Sequence, residues 1–168
     1  MSAPSQDVRY VAEIVDRTRI SMLTTMTDSG KHVSRPMAVQ EVEFDGDLWF
    51  FCYDDSAKAQ QIRMNPQVNV SFANDKQSEW ASLSGRAEVV QDRQQAARLW
   101  SAPLKVWFPD GLDTQGLSLI KVHIDTAEYW DSPSSKVRQL IGAARAAATG
   151  DPDQFPSHNR TVSFDRTA

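Results

Sequence analysis

Two short segments carry the side chains best suited to hold an anion. Ser34-Arg35-Pro36-Met37 sets a guanidinium beside a proline, and a proline in a strand removes one ladder donor. Such a residue belongs at a sheet edge or a bulge, where neighbouring backbone groups lie open. Arg35 would there offer a forked donor to a phosphate or a ring carbonyl. The plainer alternative is a surface arginine beside an edge proline. Ser56-Ala57-Lys58 opens a helical stretch. The first N–H groups of a helix lack partners and carry partial positive charge, so a hydroxyl and an ammonium two residues apart would complete a phosphate site. The plainer alternative is an N-cap serine followed by a solvated lysine.

Aromatic residues supply a third group. The loop Lys105-Val106-Trp107-Phe108-Pro109-Asp110-Gly111 places Trp107 and Phe108 between turn-forming residues. There they would cover a flat ligand or make a subunit contact. Trp130, in Tyr129-Trp130-Asp131, has the same options or a place in the core. Other chemistry is poorly provided for. There is no Gly-x-Gly-x-x-Gly and no Walker sequence. Asp54-Asp55 lies between a strand and a helix, where adjacent carboxylates serve capping and the helix dipole rather than acid and base roles. His32, His123 and His158 fall in a turn, a strand and the tail, and no Ser/His/Asp or Cys/His arrangement accompanies them. Cys52, in an apolar strand, reads as a buried and inert thiol.

These residues need a scaffold, and the pattern supplies one. Residues 6–17 have Val8, Val11, Ile14 and Val15 at helical spacing. Strands are expected at 20–26, 32–43, 48–53, 68–73, 80–90 and 117–130. The turn Asp28-Ser29-Gly30-Lys31 joins the first two, and Asp45-Gly46-Asp47 precedes the third. The third strand is apolar throughout, which predicts cover on both faces. Gly85 marks a bulge in the fifth strand. Helices are expected at 56–64, stopped by Asn65-Pro66, at 92–101 with Asp92 as cap, and at 134–148. Residues 103–116 read as a loop. The result is a mainly β, α+β chain: a six-stranded antiparallel barrel with flanking helices. Residues 1–150 form one domain. Residues 151–168 form a polar tail, ordered poorly or only against a partner.

Composition narrows the function. The net charge of −4 provides no general positive field for nucleic acid, so no nucleic-acid partner is expected. No apolar run approaches the ~20 residues that span a bilayer, and no membrane partner is expected. The start MSAPSQDVRY lacks a basic and apolar leader. One cysteine and three histidines make neither a disulfide nor a structural zinc site, which points to reducing cytoplasm.

In their order and spacing, six stretches resemble the pyridoxamine-phosphate-oxidase-like flavoproteins, and within them the general stress protein branch. They are Ser34-Arg35-Pro36-Met37, Leu48-Trp49-Phe50-Phe51-Cys52, Ser56-Ala57-Lys58-Ala59-Gln60-Gln61-Ile62, Asn65-Pro66-Gln67-Val68, Ser84-Gly85-Arg86-Ala87 and Tyr129-Trp130-Asp131. The resemblance covers about residues 8–142. It implies a split β-barrel whose homodimer holds two FMN molecules in grooves between subunits. It implies that Arg35, Pro36 and Met37 run along the flavin, that Phe51 and Cys52 line its side, and that Ser56 and Lys58 take the phosphate. Trp107 and Trp130 would cap the ring or approach from the partner subunit. The basic C-terminal set that grips pyridoxal phosphate in the true oxidases is not found here, so vitamin B6 oxidation is not expected. The implied role is FMN binding, with flavin-dependent oxidoreduction of an unnamed substrate. The alternatives are a non-catalytic flavin carrier or stress sensor, and a deazaflavin or haem user on the same fold.

Overall fold

A computed structural model describes residues 6–40, 44–131 and 158–164. The elements run α1 (Gln6–Arg17), β1 (Ile20–Met26), β2 (His32–Ala38), β3 (Asp47–Tyr53), α2 (Ala57–Met64), β4 (Gln67–Asn74), β5 (Glu79–Val90), α3 (Arg93–Leu99), β6 (Leu117–Asp131) and β7 (His158–Ser163). Two short 3-10 turns, Ala102–Val106 and Gly111–Asp113, lie between α3 and β6. The expected helix at 134–148 and the end of the expected second strand, 41–43, lie outside the described residues.

All pairings are antiparallel, in the order β2-β1-β4-β5-β6-β3, with β7 also on β6. Among the described residues the ends of that path, β2 and β3, form no ladder with each other. One backbone bond, Gln40 N–H to Trp49 O at 3.3 Å, crosses between their flanks. The sheet is thus a split barrel. Its long spine is β6. β5 pairs along one edge, while the other edge is shared by β3 on residues 117–123 and β7 on 126–131.

Six strands are expected from the sequence, and the described residues form seven. The seventh lies inside the segment read as a polar tail. β7 needs no partner chain for its order. It pairs with β6 in the same chain, buries Val162, and continues with Phe164 N–H donating to Asp125 O at 2.9 Å. Arg160 reaches Asp7 at 3.3 Å and so ties the strand to α1.

The inner faces of the strands and one side of α1 make the main core. Val11, Ile14, Leu23, Phe50, Val70, Leu83, Ile120, Val122 and Ile124 are its best-buried members. Phe50 and Cys52 face this core, whereas Phe51 points the other way, into a smaller cluster with Ala96, Leu99, Leu104, Phe108 and Leu119. That explains the unbroken apolar sequence of β3, since each face has its own cover. Gly85 stands at the expected bulge. Ser84 opposes Thr126 and Gly85 opposes Ile124, which leaves Asp125 as the extra residue. A Cβ at Gly85 would overlap the His123 carbonyl oxygen, so only glycine allows the strands this approach.

Candidate functional site

Pro36 sits on the edge strand β2, and the β1–β2 register passes through it without a bulge. Edge position alone therefore accommodates the missing N–H. Alternation then sends Pro36 to the exposed outer face and Arg35 and Met37 inward, half-buried. Met37 packs against the main core.

Arg35 opposes Leu23 on β1 and reaches toward α2. Its Nη1 donates to Leu23 O at 3.2 Å and to Thr25 Oγ1 at 2.6 Å, and its Nη2 donates to Gln61 Oε1 at 3.2 Å. Thr25 in turn donates to Gln61 Oε1 at 2.6 Å. Every partner is neutral, and among the described residues no carboxylate pairs with Arg35. Burial lowers the guanidinium pKa from its ordinary value, because desolvation disfavours the cation.

α2 provides the second wall. It packs on β1 and β5, burying Ala59 and Ile62. Asn65 closes it, with its N–H on Gln61 O at 2.8 Å. Ser56 occupies the N-cap position but does not cap. Its hydroxyl donates back to Tyr53 O at 2.7 Å, so the first N–H groups of α2 are left without a side-chain acceptor from it. Lys58 is half-buried, and among the described residues its ammonium makes no hydrogen bond or ion pair. Lys58 precedes Gln61 by three positions, which puts both on one side of the helix. Cys52, beneath α2, has its thiol pKa pushed up to about 11 by burial, against the opposing pull of Lys58 and Arg63. It is an inert core residue in this state.

Arg35 thus reaches α2 through Gln61, on the helix that carries Lys58 and follows Ser56, while Cys52 faces the main core. The other candidates stand apart. Phe51 points to the opposite face of β3, edge-on to Trp100 with ring centroids 5.5 Å apart. Cys52 faces the main core on the other side of the strand. Trp107 is 71% exposed. Its carbonyl accepts the Tyr53 hydroxyl at 2.9 Å, so its loop lies against the end of β3 just before Ser56. Trp130 opposes Trp80, at the end of β6 remote from Leu117, and it is Leu117 that pairs with Tyr53. Thirteen residues of strand, roughly 40 Å along the chain, separate the two ends.

Thr25 and Gln61 were not singled out from sequence. Thr25 did leave a signal: it is a hydroxyl on the inward phase of β1, two residues after Leu23. Gln61 left none beyond its spacing from Lys58.

The open antiparallel barrel defines the class, a split-barrel protein. Residues 6–153 match the model of the family described as pyridoxamine 5'-phosphate oxidase like, and the chain belongs to that family. It is 30% identical over 157 residues to protein bli-3 of Neurospora crassa, covering 88% of this chain and 75% of that protein. The general stress FMN/FAD binding protein of Xanthomonas citri superposes with a TM-score of 0.66 at 26% identity, covering 75% of this chain and 89% of that one. A Clostridium acetobutylicum protein related to general stress protein 26 of B. subtilis shares the fold, with a TM-score of 0.71 at 16% identity over 97% of this chain and 98% of that one. Among the described residues, no helix is long and apolar enough to cross a membrane, and no group of three or more acidic, histidine or cysteine side chains could hold a metal.

Proposed function

We propose that this chain binds FMN in the groove between β2 and α2 and serves as a flavoprotein of the general stress type. One observation carries the reading. A half-buried guanidinium is held by three neutral acceptors, one of them Gln61 on α2, and the Lys58 ammonium of that helix has no partner among the described residues. Burying a cation without an anion is costly, and a site that does so is prepared for a negatively charged ligand. Arg35, Lys58 and the open N–H groups after Ser56 suit a phosphate. Met37 and the backbone at Pro36, Phe51 and Cys52 suit the edge of a flat ring. The Xanthomonas citri relative, described as binding FMN or FAD, supports a flavin.

When bound, the flavin supplies hydride and electron transfer, and the protein's own residues bind and orient it. Oxidoreductase activity belongs to this proposal, with turnover of a reduced nicotinamide as its mark. Pyridoxamine phosphate should be a poor substrate, since nothing in the groove is assigned to select it.

A homodimer is part of the same reading. Ile20, Met22 and Trp80 are exposed on the outer sheet face, and Val106 and Trp107 are exposed beyond the end of β3. A second copy would cover such surface and could bring Trp130 to its partner's groove, which a single protomer does not do. Sedimentation should give twice the 18.8 kDa chain mass, and a monomer at micromolar concentration would count against it. The direct test of the cofactor is the visible absorption spectrum of the purified protein before and after adding FMN. A flavin spectrum that stays with the protein through gel filtration supports the proposal, and a colourless protein after reconstitution rejects it.

A further inference from the structure

The three-membered network around Arg35 determines which way the Gln61 amide faces. A guanidinium has only donors, so the atom of Gln61 that meets it must be the carbonyl oxygen. Arg35 already fills one lone pair of the Thr25 hydroxyl, at 2.6 Å. The Thr25 hydrogen therefore goes to the same Gln61 oxygen, also at 2.6 Å. Thr25 is 1% exposed and held by β1, so this arrangement has little freedom to turn over. Two donors thus converge on Oε1. The Gln61 amide nitrogen, with two N–H groups, has no partner among the described residues. Three of the five N–H groups of Arg35 are engaged within the protein, and two remain.

A glutamate at this position would pair with Arg35 through charge-assisted bonds and neutralise it. Glutamine holds the guanidinium in place and leaves its charge intact. We propose that Gln61 sets the charge preference of the groove: its oxygen positions Arg35 without neutralising it, and its amide N–H groups donate to a ligand phosphate. This rests on the FMN reading above, and it adds a ligand-binding residue that lies one helical turn beyond the Ser56 and Lys58 pair.

The test compares FMN with riboflavin, which lacks the phosphate, by calorimetric titration of the wild type, Gln61→Glu and Gln61→Met. Gln61→Glu should weaken FMN by roughly 10- to 100-fold while riboflavin affinity stays the same, so the preference for FMN collapses. Its ligand-free melting temperature should equal or exceed the wild type, because the new carboxylate pairs with Arg35. Gln61→Met leaves Arg35 charged and removes only the amide. It should weaken FMN by roughly 3- to 10-fold and keep most of the preference. A wild type that does not discriminate FMN from riboflavin rejects the phosphate site and this inference with it. A wild type that discriminates, together with a Gln61→Glu protein that discriminates equally well, overturns the inference and leaves the site reading standing. Should Gln61→Glu fail to fold, Gln61→Met decides: unchanged FMN affinity there overturns the inference.

Discussion

Replacing Arg35 by methionine should separate ligand binding from stability. In the ligand-free chain the substitution removes three donated hydrogen bonds. Two of the three acceptors keep a partner, since Thr25 still donates to Gln61 at 2.6 Å. Only Leu23 O loses its side-chain donor, a cost of about 1–3 kcal/mol if water does not replace it. Against that stands the removal of a cation that burial disfavours and no described carboxylate compensates. Methionine also fits the half-buried slot with apolar surface. The two effects oppose each other, so ligand-free stability should change by no more than about 1 kcal/mol, or about 2–4 °C for a domain of this length. Binding should respond differently. The two free N–H groups of Arg35 would meet a phosphate, and each charged hydrogen bond contributes about 1.5–3 kcal/mol. A groove that is partly open to water brings the sum toward the lower end, an FMN affinity loss of roughly 100-fold. Thermal unfolding with and without FMN, with titration of the same samples, gives both quantities. A ligand-free protein destabilised by more than about 3 kcal/mol would show that Arg35 is a structural strut. Unchanged FMN affinity would show that it is not a ligand.

Lys58→Ala should weaken FMN by roughly 10-fold and leave riboflavin and the ligand-free melting temperature unchanged, as read by titration and calorimetry. Equal losses for both ligands would place Lys58 near the ring instead of the phosphate. Gly85→Ala should destabilise the fold by about 2–4 kcal/mol in urea unfolding, because a Cβ there overlaps the His123 carbonyl and forces β5 from β6. A change under about 0.5 kcal/mol would mean that the bulge can relax. Cys52 makes stability fall at alkaline pH. Its pKa rises from 9.0 unfolded to about 11 folded, so its contribution is fully present below pH 9 and is lost as pH climbs toward 11. The loss is about 2–3 kcal/mol. Cys52→Ala should flatten the decline in unfolding free energy over that range, and an identical slope would assign it to other groups.

Much of the fold was legible because its signals are local. The helical spacing of Val11, Ile14 and Val15 specifies the buried side of α1. Gly30, at φ +80, closes the first hairpin, and Asn65-Pro66 ends α2. Asp92 caps α3 by accepting from Gln95 N–H at 2.8 Å. α3 nonetheless ends at Leu99, because Trp100 is extended and leads into the turn that holds Pro103. β7 escaped notice because its order comes from a distant strand. Its sequence, HNRTVS, has one buried apolar residue, Val162, and its ladder is to residues 126–131. The site divides along the same line. Arg35, Ser56 and Lys58 stand out by type and neighbours. Gln61 joins them only through contacts across 26 and 36 positions of chain, which no local pattern announces, and Thr25 through one across 10, its inward phase on β1 being its one local sign. Nor could the sequence tell that Ser56 turns its hydroxyl to Tyr53 instead of capping α2.

A phosphate-binding flavin groove is put to the test by titration of the purified protein with FMN and, separately, with riboflavin. FMN should bind at one site per chain and at least about 10-fold more tightly than riboflavin, the difference being the phosphate held by Arg35, Lys58 and the start of α2. Equal affinities, or no binding of either flavin, would show that Arg35, Lys58 and the start of α2 do not form a flavin phosphate site.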